Sequence, residues 1–176
     1  MTGAPVAKPL ATREEEYMPM KSIIALAAVG LVSLGFAGSA SAFTFSPAGT
    51  HFTATGFATL VYSPNGSFIG CTSTFTGQVN SSGSSAKITA FQSAGSDPRC
   101  ASIVGANLPW KAAPKSANHM VVKNFEVTAD TFFCGPGAVN GTLSGGNFSF
   151  DVVLPPSGCA FRSNKLTTSP TLSIVP

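Results

Sequence analysis

Alternation of apolar and polar residues at a period of two runs through most of this chain, and it restricts the fold more than any motif does. In Asn147 to Leu154, Phe148, Phe150, Val152 and Leu154 fall on one side and Asn147, Ser149 and Asp151 on the other. In Ile69 to Val79, Ile69, Cys71, Phe75 and Val79 share one side, opposite Thr72, Thr74, Thr76 and Gln78. Phe43-Thr44-Phe45 and Leu172-Ser173-Ile174 repeat the pattern at the two ends of this region. Successive side chains of a strand point to opposite faces, so the alternation marks half-buried antiparallel strands. The β-branched and aromatic residues supply the strand propensity. Pro64-Asn65-Gly66 separates Ala58–Tyr62 from Phe68–Phe75 as in a hairpin. Ser81-Ser82-Gly83 and Ser144-Gly145-Gly146 give the same signal later. Residues 101–118 have room for a helical turn, but Pro109 and Pro114 argue for a loop. The expected fold class is all-β, an antiparallel β-sandwich of Greek-key or meander-like order.

The four cysteines, Cys71, Cys100, Cys134 and Cys159, all lie in this alternating region. An even count in an exported chain reads as two disulfides. A metal site would want histidines or close cysteine pairs, and the chain has no CxxC. Two segments carry parallel layouts. Cys71 to Cys100 has SSG near its midpoint, and Cys134 to Cys159 has SGG. Their first halves hold similar elements, FTGQV at 75–79 and VNGTL at 139–143, as a weak internal duplication or shared hairpin grammar would produce. If each segment is a hairpin, its cysteines lie opposite each other at the open end. That geometry favours Cys71–Cys100 and Cys134–Cys159 over the other pairings, each bridge contributing about 3 kcal/mol through the unfolded state.

The stretch starting at Met20 has a secretory layout: Lys21, an uncharged apolar run from Ile23 to Phe36, and Ala40-Ser41-Ala42 as a small-x-small cleavage pattern. The apolar run is short for a span of about 20 residues. The expectation is a helical signal peptide over 20–42, removed to leave a single secreted β-domain over 43–176. Residues 1–19 read as a disordered extension from an early gene start, with Met18 or Met20 as the initiator. Export through the Sec pathway implies a secreted or cell-surface location, or periplasmic retention, with no membrane span after cleavage. Charged residues make up 10% of the chain and the net charge is +3 without a basic cluster, which argues against nucleic acid as a partner.

Candidate chemistry is sparse. Ser84-Ser85-Ala86-Lys87 matches SxxK, but that chemistry needs the serine and lysine one helical turn apart, and here the tetrad leads into a strand. His51 and His119 can be combined with a serine and with Asp130 or Asp151 on paper only, since no nucleophile context singles out a serine. The scattered acids form no calcium loop and no paired carboxylates. No catalytic residue, metal ligand or cofactor is expected, and the chain is read as not an enzyme. Asn65, Asn80, Asn140 and Asn147 head N-x-S/T sequons that matter only in a eukaryote. Trp110, the single tryptophan, is a candidate surface-contact aromatic of the kind a carbohydrate-binding module exposes. A lone tryptophan beside proline is, however, more often a core plug at a sandwich end. Low charge on Thr/Ser-rich strands also invites edge-to-edge pairing.

Five phrases together resemble a known family: FSPAGTHFTATG (45–56), GCTSTFTGQV (70–79), NLPW (107–110), FFCGPGAVNGTL (132–143) and LTTSPTLSIVP (166–176). Their order and spacing are similar to those of the small exported bacterial activators of alkane oxidation, the PraB-like proteins. The resemblance covers essentially all of 43–176. It implies a secreted or surface-associated accessory protein linked to growth on hydrocarbons and to biofilm adhesion, with no established catalytic residues to carry over. Hydrophobic surfaces, alkane droplets or cell-envelope components are then the expected partners, together with self-association. The alternatives are a secreted hydrolase or carbohydrate-binding module, and a fibre-forming structural subunit.

Overall fold

In a computed structural model of the chain, the described residues are 42–62, 66–130 and 132–176. The expected extension over 1–19 and the signal peptide over 20–42, apart from Ala42, lie outside them, as do Pro64 and Asn65 of the first turn. The strands are β1 (Thr44–Ser46), β2 (His51–Tyr62), β3 (Ser67–Val79), β4 (Ala86–Ala94), β5 (Val104–Gly105), β6 (Trp110–Ser116), β7 (His119–Ala129), β8 (Phe132–Ser144), β9 (Asn147–Leu154), β10 (Cys159–Ser169) and β11 (Ser173–Val175). One 3-10 helix, Pro98–Ser102, follows β4.

These strands close on themselves. Antiparallel pairing runs β3–β2–β10–β9–β8–β7–β6–β4 and returns from β4 to β3, giving an eight-stranded barrel. The two-residue β5 fills the wall between β4 and β7. β1 and β11 pair as a small separate sheet, tied to the barrel where Phe45 donates its N–H to the Gly83 carbonyl. The expected sandwich is therefore corrected to a barrel. Alternation cannot separate the two, because both bury one face of every strand. Closure depends on where strands bend, and here the register shifts in β10 between Arg162 and Lys165, in β3–β4 at Thr76/Gly77, and twice along β7–β8. Bulges of this kind increase local twist and let a sheet curl.

Gly56 shows what one bend requires. A Cβ at Gly56 would collide with the Lys165 carbonyl of the β10 bulge and meet Leu166 Cα at 3.1 Å. Gly56→Ala should therefore destabilise the barrel by about 2 kcal/mol, the usual scale of overpacking against an unyielding neighbour. Urea denaturation checks it, and an unchanged midpoint would show that the bulge can shift freely.

The duplicated elements acquire a physical meaning as well. Gly77 of FTGQV and Gly141 of VNGTL both face inward near the turn end of their strands, and each lies under a phenylalanine ring of a neighbouring strand, Phe52 and Phe148. Pro114 is a correction: it lies within β6, where the sequence suggests a loop. The β4–β6 ladder ends at Ala112, so the missing N–H of Pro114 is not needed by β4.

The interior is filled by side chains, as expected for a barrel of eight strands. Phe75, Phe91, Trp110, Phe125, Phe150 and Phe161 form a continuous aromatic cluster, with centroids 4.5 Å apart for Trp110–Phe125, 4.9 Å for Phe75–Phe91 and 5.1 Å for Phe150–Phe161. An apolar cavity of about 30 Å³ remains near the β1–β11 sheet, bounded by Phe45, Phe52 and Met120 among others. It is barely one water in size. The buried hydroxyls of Ser73, Ser163 and Thr168 are bonded, to Ser93 Oγ, the Phe57 carbonyl and the Gly146 carbonyl.

Candidate functional site

Strand direction divides the barrel into two ends. The β1–β11 sheet and the turns at 80–85 and 145–146 lie at one end, while the β2–β3 turn, the 3-10 helix and the β9–β10 turn lie at the other. Both disulfides, Cys71–Cys100 and Cys134–Cys159, lie toward the second end. In each case the second cysteine sits just past the hairpin rather than on it: Cys100 in the 3-10 helix and Cys159 at the head of β10. Asp97 caps that helix by accepting from the Arg99 N–H, and Arg99 also donates to the Phe68 carbonyl of β3 at 3.2 Å. The side-chain hydrogen bonds from Arg99 hold the Asp97 carboxyl below the usual carboxylate range.

The outer wall near the same end breaks its polar pattern. Cross-strand partners Phe68, Val61, Ala160 and Val153 form one rung across β3, β2, β10 and β9. Residues directly opposite share a face, so this is a four-strand apolar rung, with Phe68 59% and Val153 60% exposed. The next rung is Gly70, Thr59, Arg162 and Asp151, and beyond it Phe57 pairs with Thr72 and Lys165. Phe57, also 59% exposed, lays its ring over Gly70, where an added Cβ would meet Cζ at 2.5 Å. Arg162 Nε donates to Asp151 Oδ1 at 2.7 Å. The β10 bulge exposes Asn164 and Lys165 consecutively. Between these groups lies an open groove of about 650 Å³. A further exposed ring, Phe133, stands beside the stacked pair Tyr62–Phe132, whose centroids are 4.3 Å apart.

Trp110 does not belong to this surface, and its candidacy as a contact aromatic is corrected. It is fully buried, packs on Phe75, Phe91 and Phe125, and donates Nε1–H to the Ala106 carbonyl at 2.8 Å. Leu108 and Pro109 lead the chain inward instead of presenting the indole. Ser84 of the SxxK match belongs to a turn network with Asn80 and Ser82. His51 and His119 stand on β2 and β7, four strands apart around the ring whichever way it is followed. His119, Ser149 and Asp151 do border one shallow depression. Ser149 is bonded there to Thr142 at 2.6 Å and Asp151 to Arg162, so neither is directed at the imidazole. Among the described residues no cluster of His, Cys, Asp and Glu could hold a metal ion, and no helix is long and apolar enough to cross a membrane.

Sequence reasoning missed the groove residues, yet a signal existed. In β2 the inward positions are Phe52, Ala54, Ala58 and Leu60, so Phe57 is an aromatic on the parity of Thr53, Thr55 and Thr59. Phe68 breaks parity in the same way beside Ile69.

Fold and surface together define a disulfide-stapled, aromatic-filled β-barrel with an apolar ledge on its outer wall. A family model described as alkane oxidation protein activator PraA/PraB-like matches residues 18–176, and the chain belongs to that family. No curated protein and no solved structure matches the chain.

Proposed function

We propose that the protein is an exported, non-catalytic accessory that makes contact with hydrophobic substrates or surfaces through the outer wall around Phe57, Phe68, Val61 and Val153. Attachment of cells to alkane droplets or to surfaces, including in biofilms, is the consequence of that contact at the scale of the cell. The observation that carries the reading is the apolar rung of four adjacent strands, with Phe68 and Val153 exposed at its two ends, beside the exposed Phe57 on a face that otherwise carries threonine and charged residues. Contiguous exposed apolar patches on small proteins mark contact sites. The packed interior supports an outside mode of contact, because a cavity of about 30 Å³ leaves no space for an alkyl chain. The non-catalytic half is supported by the engagement of Asp151 with Arg162 and of Asp97 with Arg99. The alternatives lose their motivating features: Trp110 offers no glycan platform, and ring closure gives every barrel strand a partner on both sides over part of its length, which shortens the edges a fibre would use.

The test is interfacial. Purified protein should adsorb at an alkane–water interface, and Phe57→Ser with Phe68→Ser should weaken adsorption without changing the far-ultraviolet spectrum. Burying the exposed part of each ring is worth about 1.5 kcal/mol, so each substitution should lower partitioning roughly tenfold. Equal adsorption by the double variant would overturn the assignment of the contact. A deletion strain should grow more slowly on an alkane than its parent and equally on a soluble carbon source.

A further inference from the structure

The groove beside Phe57 has two unlike halves. On β2 and β3 it presents Phe57, Val61 and Phe68, and on β10 it presents Arg162 and Lys165. At about 650 Å³ it lies within the range of roughly 300–1,000 Å³ that holds small molecules. We propose that this groove binds a single linear alkyl carboxylate, its tail along the phenylalanine rings and its headgroup between Arg162 and Lys165.

Charge and donor geometry support the anionic end. Arg162 and Lys165 face one carboxylate, Asp151, which leaves the groove with net positive charge. Asp151 takes the Nε–H of Arg162, and a guanidinium carries five N–H donors in a planar fork, so a second carboxylate can still be received. Lys165 has no acidic partner among the described residues, and the β10 bulge turns it outward next to Phe57, its cross-strand partner. The apolar end is fixed in place, because Gly70 lets the Phe57 ring lie flat on the strand instead of moving through solvent. A ligand with one apolar and one anionic end matches this layout, whereas an alkane would leave Lys165 without a counter-ion. Terminal oxidation of an alkyl chain is the class of reaction that supplies such a molecule.

The inference takes its apolar half from the proposed contact surface, and the two can be tested apart. Calorimetric titration of the purified, disulfide-bonded protein with decanoate below its micelle concentration should show saturable binding of one molecule. Decanol and decyltrimethylammonium, with the same chain but a neutral or cationic head, should bind at least about tenfold more weakly, and added salt should weaken decanoate alone. Lys165→Glu should weaken decanoate binding about tenfold or more while still adsorbing at the alkane–water interface, and Phe57→Ser should weaken both about tenfold. Decanol binding as tightly as decanoate, or Lys165→Glu binding decanoate unchanged, overturns the carboxylate site and leaves the interfacial reading standing. Binding to phosphatidylglycerol vesicles with none to monomeric decanoate also overturns it, in favour of a membrane surface. Wild-type protein that binds decanoate yet fails to adsorb to alkane sinks the interfacial reading alone.

Discussion

Trp110→Ala is expected to cost about 4 kcal/mol, the scale of deleting a fully buried aromatic side chain. The indole lies at the centre of the barrel, 4.5 Å from the Phe125 centroid and in contact with Phe75 and Phe91. Removing it leaves a void that these rings cannot all fill, since each is also packed against others: Phe91 and Phe125 touch Phe161, and Phe75 touches Phe150. The Ala106 carbonyl loses its indole donor at the same time. Against a total stability of about 5–15 kcal/mol for a domain, this one change should remove a large part of the folded state's margin. Trp110→Phe keeps most of the volume and should cost less, though the carbonyl stays unsatisfied. Urea denaturation followed by far-ultraviolet circular dichroism measures both, since tryptophan fluorescence disappears with the residue. A loss below about 1 kcal/mol for the alanine variant would mean that the indole is not in the core, and would revive the surface-platform reading.

The inward faces were legible in the sequence because strand alternation reports burial directly: Phe148, Phe150 and Leu154 of β9, and Ile69, Cys71, Phe75 and Val79 of β3, all point inward. Barrel closure was not legible, because it rests on details that alternation does not encode, such as the missing Cβ of Gly56 beneath the β10 bulge. Pro114 misled for a related reason. Proline argues against a strand only where the neighbour needs its N–H, and whether β4 reaches that far is a tertiary fact. Trp110 was readable in its commoner role, since a lone tryptophan next to proline is more often a core plug than an exposed platform, and it is fully buried. Phe57 and Phe68 were readable as parity violations, but only once the partner strands are known do Val61, Ala160 and Val153 join them into one patch. Arg162 and Lys165 reach that patch through a bulge that no pattern of single residues announces.

Reduction of both disulfides should remove about 7 kcal/mol, and so bring the barrel close to unfolding without denaturant. Cys71–Cys100 closes a loop of sequence separation 29 and Cys134–Cys159 one of 25. Chain-entropy estimates for loops of that size come to about 3.5 kcal/mol each. The two loops are neither nested nor overlapping along the chain, so each restricts a different part of the unfolded ensemble and their effects should nearly add. In the folded protein the bridges do different work. Cys71–Cys100 ties the 3-10 helix to β3, alongside the Arg99 contact to the Phe68 carbonyl. Cys134–Cys159 ties β8 to the head of β10 where the β8–β9 ladder, which runs from Ser144↔Asn147 to Gly141↔Phe150, no longer holds β8 to its neighbour. Replacing Cys134 and Cys159 with alanine should therefore loosen that side of the wall first, visible as faster amide exchange at Val152 to Leu154 and at Phe133. Replacing Cys71 and Cys100 should instead free the 3-10 helix and unsettle Phe68. Thermal melts with and without dithiothreitol give the sum, and the two alanine pairs give the parts. A melting temperature unchanged by full reduction would show that the aromatic core alone holds the barrel closed.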